Sequence, residues 1–594
     1  MRNQAWGKLD GPQLLRKLLL ASATTIAVAP ASSFAQNLVL NPGFESSTTC
    51  AATAWVSVGT CPTTYEYTTG LQHSGTQDLI IGNFGSGIAN ISQTVAVTAA
   101  GKYAFSFWYN VFFPEPGASF NASVGKNTFN VSAGSALPYT QFVQQVTLVP
   151  GSSTVTFATA TGNSYALAID DVSLSFLNSI PLSPFLPANA PTNVVNVSAA
   201  IDSYIASNPT VPLPAGFQNL YALSPDQLRA ALTQASGETA TGTQQTTFQA
   251  MGLFLGVLTD PFMARGGMSD GERAIPFATE SKASAYQANG KPRSESERDA
   301  YAAVYNKAPA FAPFEQRWSV WAAGFGGSQT TSGDPGVGSN SATSQIAATA
   351  VGADYLFSPN TIAGFAMAGG GTNFSVANGG GGRSDLFEAG AFIRHTEGPA
   401  YVSAALAYGW QDVSTDRMVN IAGLDDLHAN FNANAYSGRI ESGYRFLTPW
   451  MGLTPYAAGQ FTTLDLPSYA EQALTGANTF ALSYNSKSVT DGRTELGFRA
   501  DKSFAMQDSI LTLRSRLAWA HDYNPDRNVA ATFQALPGAS FVVNGAAMAS
   551  DSALTTASAE LKWKNGWSVA ATFEGEFSDV TNSYAGKGML RYVW

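Results

Sequence analysis

From about Phe314 to Trp594 apolar and polar residues alternate in runs of about ten, the period of β-strands with two unlike faces. In the last run Trp594, Tyr592, Leu590 and Gly588 share one face, and Val593, Arg591, Met589 and Lys587 the other. Before it, Trp567, Val569, Ala571 and Phe573 oppose Ser568, Thr572, Glu574 and Glu576. Leu511, Leu513, Leu517 and Trp519 oppose Thr512, Arg514 and Arg516, while Leu496 and Phe498 oppose Arg493, Glu495 and Arg499. Tyr436, Ile440, Tyr444 and Phe446 oppose Arg439, Glu441 and Arg445. A soluble sandwich also has one apolar face per strand. Here the second face carries charges of both signs, strand after strand, as the lining of a polar lumen would. The pattern predicts an antiparallel transmembrane β-barrel of roughly 12 strands. Its greasy side meets outer-membrane lipid. Arg439, Glu441, Arg493, Glu495, Arg514, Arg516, Glu574, Glu576 and Arg591 face inward. Trp410, Phe446, Trp450, Trp563, Trp567 and Trp594 fall near strand ends, where interfacial aromatics belong. Tight turns at Ser358-Pro359-Asn360, Glu397-Gly398-Pro399, Leu447-Thr448-Pro449 and Lys564-Asn565-Gly566 alternate with longer loops.

The first half shows a different pattern. Residues 36–180 hold shorter runs between Gly, Asn and Pro signals: Ile88–Thr98, Lys102–Phe113, Gln141–Leu148, Thr154–Ala160 and Ala166–Phe176. They predict a β-sandwich. Tyr103, Phe105, Phe107 and Tyr109 form a core face, leaving Trp108 on the more polar one. Trp55, Tyr65, Tyr67 and Trp108 are candidate platforms for a sugar ring. Residues 181–313 read as a linker with helices. Ser224-Pro225-Asp226-Gln227 opens one with a capping box, Leu228, Ala231, Leu232 and Ala235 share its inner face, and Gly237 ends it. The apolar stretch Phe248–Leu258 is expected to pair with it, Gly266–Pro292 is polar and Gly-rich, and Ser294–Lys307 predicts a last helix. At the N-terminus, Arg2, Lys8, Arg16 and Lys17 precede an apolar stretch and Ser33-Phe34-Ala35, the layout of a secretory signal peptide over 1–35.

Composition narrows the function. The chain has 594 residues, 12% charged, and a formal charge of −10. An acidic chain without a basic stripe is unsuited to nucleic acid. Two cysteines, Cys50 and Cys61, lie in the exported segment, where a disulfide is expected. The histidines are His73, His395, His428 and His521, and no HExxH or Walker pattern accompanies them. One GxSxG match, Gly267–Gly271, sits in the polar linker without the strand and helix that a nucleophile elbow requires. Asp170 and Asp171 are neighbours on an expected strand and so should face apart. These observations favour a protein that is not an enzyme.

Two resemblances extend this reading. Asn37–Glu45, Trp55, His73-Ser74-Gly75-Thr76, Ile91–Val95, Phe105–Tyr109 and Ile169–Leu174 follow the order of carbohydrate-binding-module-like (galactose-binding-like) jelly rolls, over roughly 37–177. The resemblance implies a structural Ca²⁺ held by Glu45 and Asp170 (or Asp171), and an extracellular glycan as ligand. Trp318–Trp321, Val351–Tyr355, Pro537–Gly545, Phe573–Phe577 and Leu590–Trp594 resemble the translocator domain of classical (type V) autotransporters, over roughly 314–594. That resemblance implies general secretion and outer-membrane barrel-assembly machinery as partners, with Tyr592 and Trp594 in the assembly signal. It places Ser294–Lys307 as the helix threading the lumen and residues 36–180 as a passenger at the cell surface. The chain has neither an internal repeat of β-helix type nor the paired asparagines at which some members cut themselves. The expected function is an outer-membrane autotransporter that displays a glycan-binding module as an adhesin. Alternatives are a displayed polysaccharide-acting hydrolase, or a porin-like barrel with a periplasmic module.

Overall fold

The computed structural model describes residues 36–82, 87–159, 164–260 and 317–594. The signal segment 1–35, the Gly267–Gly271 match and the Ser294–Lys307 helix lie outside the described residues. The chain divides into two units, the first ending at Ser179 and taking in Thr210–Pro212, the second comprising the remainder.

The first unit is a sandwich of two five-stranded sheets. Its strands are β1 (Val56–Val58), β2 (Tyr65–Thr68), β3 (Asp78–Gly82), β4 (Asn90–Val97), β5 (Gly101–Phe113), β6 (Ser119–Val124), β7 (Asn127–Ser132), β8 (Leu137–Leu148), β9 (Gly151–Thr159) and β10 (Ala166–Ser179). One sheet runs β8-β5-β10-β3-β2 and the other β1-β4-β9-β6-β7. Alternation along β5 sends Tyr103, Phe105 and Phe107 inward, where they meet Phe120, Phe142 and Phe157. Cys50 and Cys61 are joined by a disulfide, with Cα atoms 5.7 Å apart.

The second unit is a closed barrel of 12 antiparallel strands. They are β11 (Trp318–Thr331), β12 (Ala342–Ser358), β13 (Thr361–Val376), β14 (Gly380–Glu397), β15 (Ala400–Asn420), β16 (Leu424–Tyr444), β17 (Gly452–Leu466), β18 (Lys487–Ala505), β19 (Ser509–Asp522), β20 (Asp551–Trp563), β21 (Trp567–Phe577) and β22 (Thr581–Val593). Each pairs with the next, and β11 pairs with β22 from Ser319↔Val593 to Thr331↔Thr581, which closes the ring. Lipid offers no partner to free backbone groups, so a sheet in hydrocarbon must close this way. All four tight turns named above fall at one mouth. The other mouth carries the loops 467–486 and 523–550, whose segments Tyr469–Ala470, Leu482–Tyr484, Asn528–Phe533 and Ser540–Asn544 form a sheet of their own.

Residues 180–209 and 213–260 belong to this second unit, packed on the barrel instead of forming a linker. Helix α1 (Thr192–Ser207) packs on Ser540–Asn544 at the long-loop mouth. Helix α2 (Pro225–Ala235) begins with the expected capping box between Ser224 and Gln227. Helix α3 (Gly242–Leu258) then enters the barrel instead of pairing with α2. Glycines make room for it: a Cβ on Gly390 would lie 2.6 Å from Leu258, and one on Gly409 2.7 Å from the Met251 sulfur.

Candidate functional site

The lumen of the barrel has two unlike walls. Along β11–β15 the inward residues are largely apolar or small, among them Trp321, Phe325, Ile346, Ala350, Leu386 and Phe392. Met251, Phe254, Leu255, Val257 and Leu258 of α3 bury against them. The first turns of α3 are polar but equally buried, because they meet polar strand ends. Thr247 Oγ1 lies 3.1 Å from Gln411, Ser344 Oγ donates to Gln249 over 2.7 Å, and Gln244 donates to the Asn528 carbonyl over 2.8 Å. At the far end Lys587 binds Asp260 at 3.1 Å and the Gly256 carbonyl at 3.1 Å.

The opposite wall, β16–β22, is ionic. Arg439 joins Glu495 at 2.7 Å and Glu441 at 2.9 Å. Arg499 donates both terminal nitrogens to Glu441. Arg493 reaches Glu576 at 2.8 Å, Arg514 reaches Glu560 at 3.0 Å, and Lys587 reaches Glu574 at 2.9 Å. Arg516 lies 3.8 Å from Glu495, and Arg591 reaches Asp354 at 3.0 Å. Arg439, Arg493, Glu495, Arg514, Arg516, Glu574 and Glu576 line the lumen cavity, and Glu441 and Arg591 are buried in these ion pairs. Between this wall and α3 a cavity of about 1100 Å³ remains, lined by Arg439, Arg493, Glu495, Arg499, Arg514 and Arg516. The outer surface is the reverse: Leu406, Ile440, Leu496, Phe498, Leu517 and Phe573 are exposed. Trp594 and Tyr592 stack at the strand end, 5.8 Å apart.

In the first unit the candidate sugar platforms separate. A ring must reach solvent to stack on a sugar, and Trp55, Tyr65 and Tyr67 do not: all three are buried in the core. Trp55 packs on Phe44 and Phe157 and donates its indole N–H to the Asn41 carbonyl. Tyr67 shares a hydrogen bond with Ser57, and burial pushes its hydroxyl up to about 12. Trp108 is only half-buried, but one face is already occupied. His73 stacks on it with centroids 4.0 Å apart and planes within 11°. Tyr139 stands 5.1 Å from His73 and donates to the Leu71 carbonyl. The outward platform is therefore the half-buried His73 ring, backed by Trp108 and flanked by Tyr139. Neither His73 nor Tyr139 is among the platforms expected from the sequence.

A row of polar residues crosses the sheet beneath this loop. Trp108 pairs with Gln141 on β8 and with Asp170 on β10, and Asp78 on β3 follows beside Asp170. Asp171 has a left-handed backbone, φ 50°, and the register shifts after Asp170. This bulge overturns the expectation that the two aspartates face apart. Both hold the same loop: His73 and Ser74 N–H each donate to Asp170 over 2.9 Å, while Asp171 binds His73 Nδ1 at 2.8 Å and Ser74 Oγ at 2.7 Å. Burial raises Asp170 to about 6. Asp78 is fully buried, neither of its carboxylate oxygens has a hydrogen-bond partner, and burial next to Asp170 raises it to about 7.

Glu45 approaches from the opening turn and accepts N–H and O–H bonds from Thr76 at 2.9 and 2.6 Å, which hold its carboxyl below the ordinary range. A Cβ on Gly43 would lie 3.3 Å from Asp170 Oδ1 and 3.7 Å from both Asp171 Oδ1 and Glu45 Oε1. Three carboxylates facing one small gap suit a hard cation in chemistry. As they stand, no group of three or more His, Cys, Asp or Glu among the described residues is arranged to hold a metal ion.

Residues 320–574 match the family model for the autotransporter beta-domain. The translocator domain of the autotransporter NalP from Neisseria meningitidis superposes with a TM-score of 0.39 at 16% identity, covering 50% of this chain and 98% of that one. A structure of TmCBM61 in complex with beta-1,4-galactotriose has a TM-score of 0.21 at 20% identity, covering 24% of this chain and 99% of that one. An extracellular serine protease of Serratia marcescens is 27% identical over 197 residues, which are 33% of this chain and 18% of the relative. The chain thus spans under a fifth of that relative's length.

Proposed function

From the premise that the C-terminal barrel is an autotransporter β-domain set in the outer membrane, we propose that this chain displays its N-terminal sandwich as a glycan-binding adhesin. The family accounts for secretion of a passenger. One observation carries the glycan reading: a half-buried imidazole that still reaches solvent, held flat by Trp108 and Asp171, with Tyr139 beside it. Such a platform offers an apolar face to the C–H side of a pyranose. Gln141, next to Trp108 and exposed, offers amide groups to the hydroxyls. Binding is favoured over hydrolysis because Asp78 and Asp170 are both fully buried, out of reach of a glycosidic oxygen. We further propose that Glu45 and Asp170 take up Ca²⁺, which would offset the repulsion among the carboxylates facing Gly43. Calcium should then raise the thermal midpoint of the sandwich and a chelator should return it; equal midpoints would remove the metal.

The glycan reading is tested on a glycan array with intact cells. His73→Ala and Trp108→Ala should each weaken binding by at least about tenfold, equivalent to roughly 1.4 kcal/mol. Unchanged binding in both would displace the site. Digestion of residues 36–180 by protease on intact cells tests display, and resistance there with cleavage in lysed cells would place the sandwich in the periplasm.

A further inference from the structure

We propose that residues 180–260 are a non-covalent anchor, which keeps the sandwich on the barrel even when the backbone between Asp260 and Arg317 is cut. The position of the sandwich outside the cell rests on the export reading above. The anchor itself rests only on contacts inside the second unit.

Those contacts occur at three levels. At the long-loop mouth, Asn193 on α1 donates to the Asn544 carbonyl over 2.8 Å and accepts from its N–H over 2.9 Å, while Asn196 donates to the Val542 carbonyl over 2.9 Å. Phe217 packs against Phe480 and Phe533, with ring centroids 4.6 and 5.2 Å away. At the rim, Glu238 accepts from the N–H and the side-chain amide of Asn340 at 2.6 and 2.5 Å, and Thr239 donates to the Gly379 carbonyl over 2.8 Å. Buried Arg417 on β15 holds Glu471 with two nitrogens and also donates to the Gln234 carbonyl at 2.9 Å. Inside the lumen α3 lies in its apolar groove, with Lys587 clasping Asp260 at its end.

Separation of the two parts would expose the apolar face of α3 and strand buried polar groups of both partners. A buried group left without its partner costs more than the pair contributed. None of these contacts involves residues 261–316.

The test uses the full chain, carrying a site-specific protease sequence with flexible flanks after Gly271 and purified in detergent. The flanks are lengthened until denaturing gels show complete cleavage. We expect both fragments in one size-exclusion peak, parting only on denaturation. Elution of the N-terminal fragment by itself in native detergent would overturn the proposal. A triple variant, Asn193→Ala, Glu238→Ala and Thr247→Ala, should still give the heat-modifiable gel band of a folded barrel when uncut. After cutting it should release its fragment at lower urea than the parent; identical release curves would remove these residues from the anchor. Should the sandwich prove periplasmic while the fragments co-elute, the export reading fails and the anchor stands.

Discussion

The sandwich and the barrel use the same alternation of apolar and polar residues and turn it in opposite directions. In the sandwich Phe105 and Phe107 are fully buried, and the polar faces of the sheets meet water. In the barrel Leu406 and Leu517 are 66% and 67% exposed, while Arg439 and Glu495 are 8% and 5% exposed. The strand period says which residues share a face. What lies against each face is decided by the other face: a uniform row of uncharged polar groups is content with water, whereas recurrent Arg and Glu require one another. The comparison also runs within the barrel. The wall β11–β15 is greasy where α3 covers it, and the wall β16–β22 is ionic where it lines the open cavity.

The contrast can be broken at its strongest points first. Glu495→Ala leaves Arg439 without a main partner and should cost about 3–5 kcal/mol. The heat-modifiable band of the barrel should shift at markedly lower temperature, and a matching Arg439→Met change should restore part of the loss. Phe107→Ala opens a cavity in the sandwich core and should cost about 3–5 kcal/mol. Phe498→Ala on the lipid side should cost much less, since acyl chains fill the space. Trypsin susceptibility of the two units in one detergent preparation would compare them, and equal losses would refute the difference in surroundings. Leu517→Arg, near mid-strand, should cost about 2–4 kcal/mol in bilayers. If it folds as the parent does in lipid vesicles, that face is not lipid-bound.

A last contrast concerns pH. Asp78 is raised from 3.8 to about 7 by burial, with Asp170, Glu66 and Tyr139 around it. Its unfolded form ionises first as pH rises, so the folded sandwich holds the extra proton between these values. Stability is therefore greatest below pH 3.8 for this group, falls through the interval and is lowest above about 7. Asp170, raised to about 6, acts in the same sense. Asp78→Asn should flatten the fall in thermal midpoint between pH 4 and 7 relative to the parent, and an unaltered slope would assign the effect elsewhere.

Much of this fold was legible in the sequence. Alternation with charge on one side revealed the barrel and its inward residues from Arg439 to Arg591, and Ser224 with Gln227 marked the start of α2. The lumen helix was not legible there. Gln244, Gln245, Thr246 and Thr247 carry no apolar signal, and only the polar strand ends around them explain their burial. Tyr65 and Tyr67 share a face by period, yet nothing in the period says that this face is the inner one. His73 lies in a loop, which has no period at all. Its position is set by Asp171, Ser74 and the bulge, contacts separated by nearly a hundred residues.

The seam between β11 and β22 sets a timetable. Ser319 finds its neighbour only when Val593 has been made, so the ring cannot shut before its last strand exists. The sandwich, by contrast, has every strand it needs much earlier. The chain therefore passes through an interval in which the sandwich can be complete while the barrel cannot.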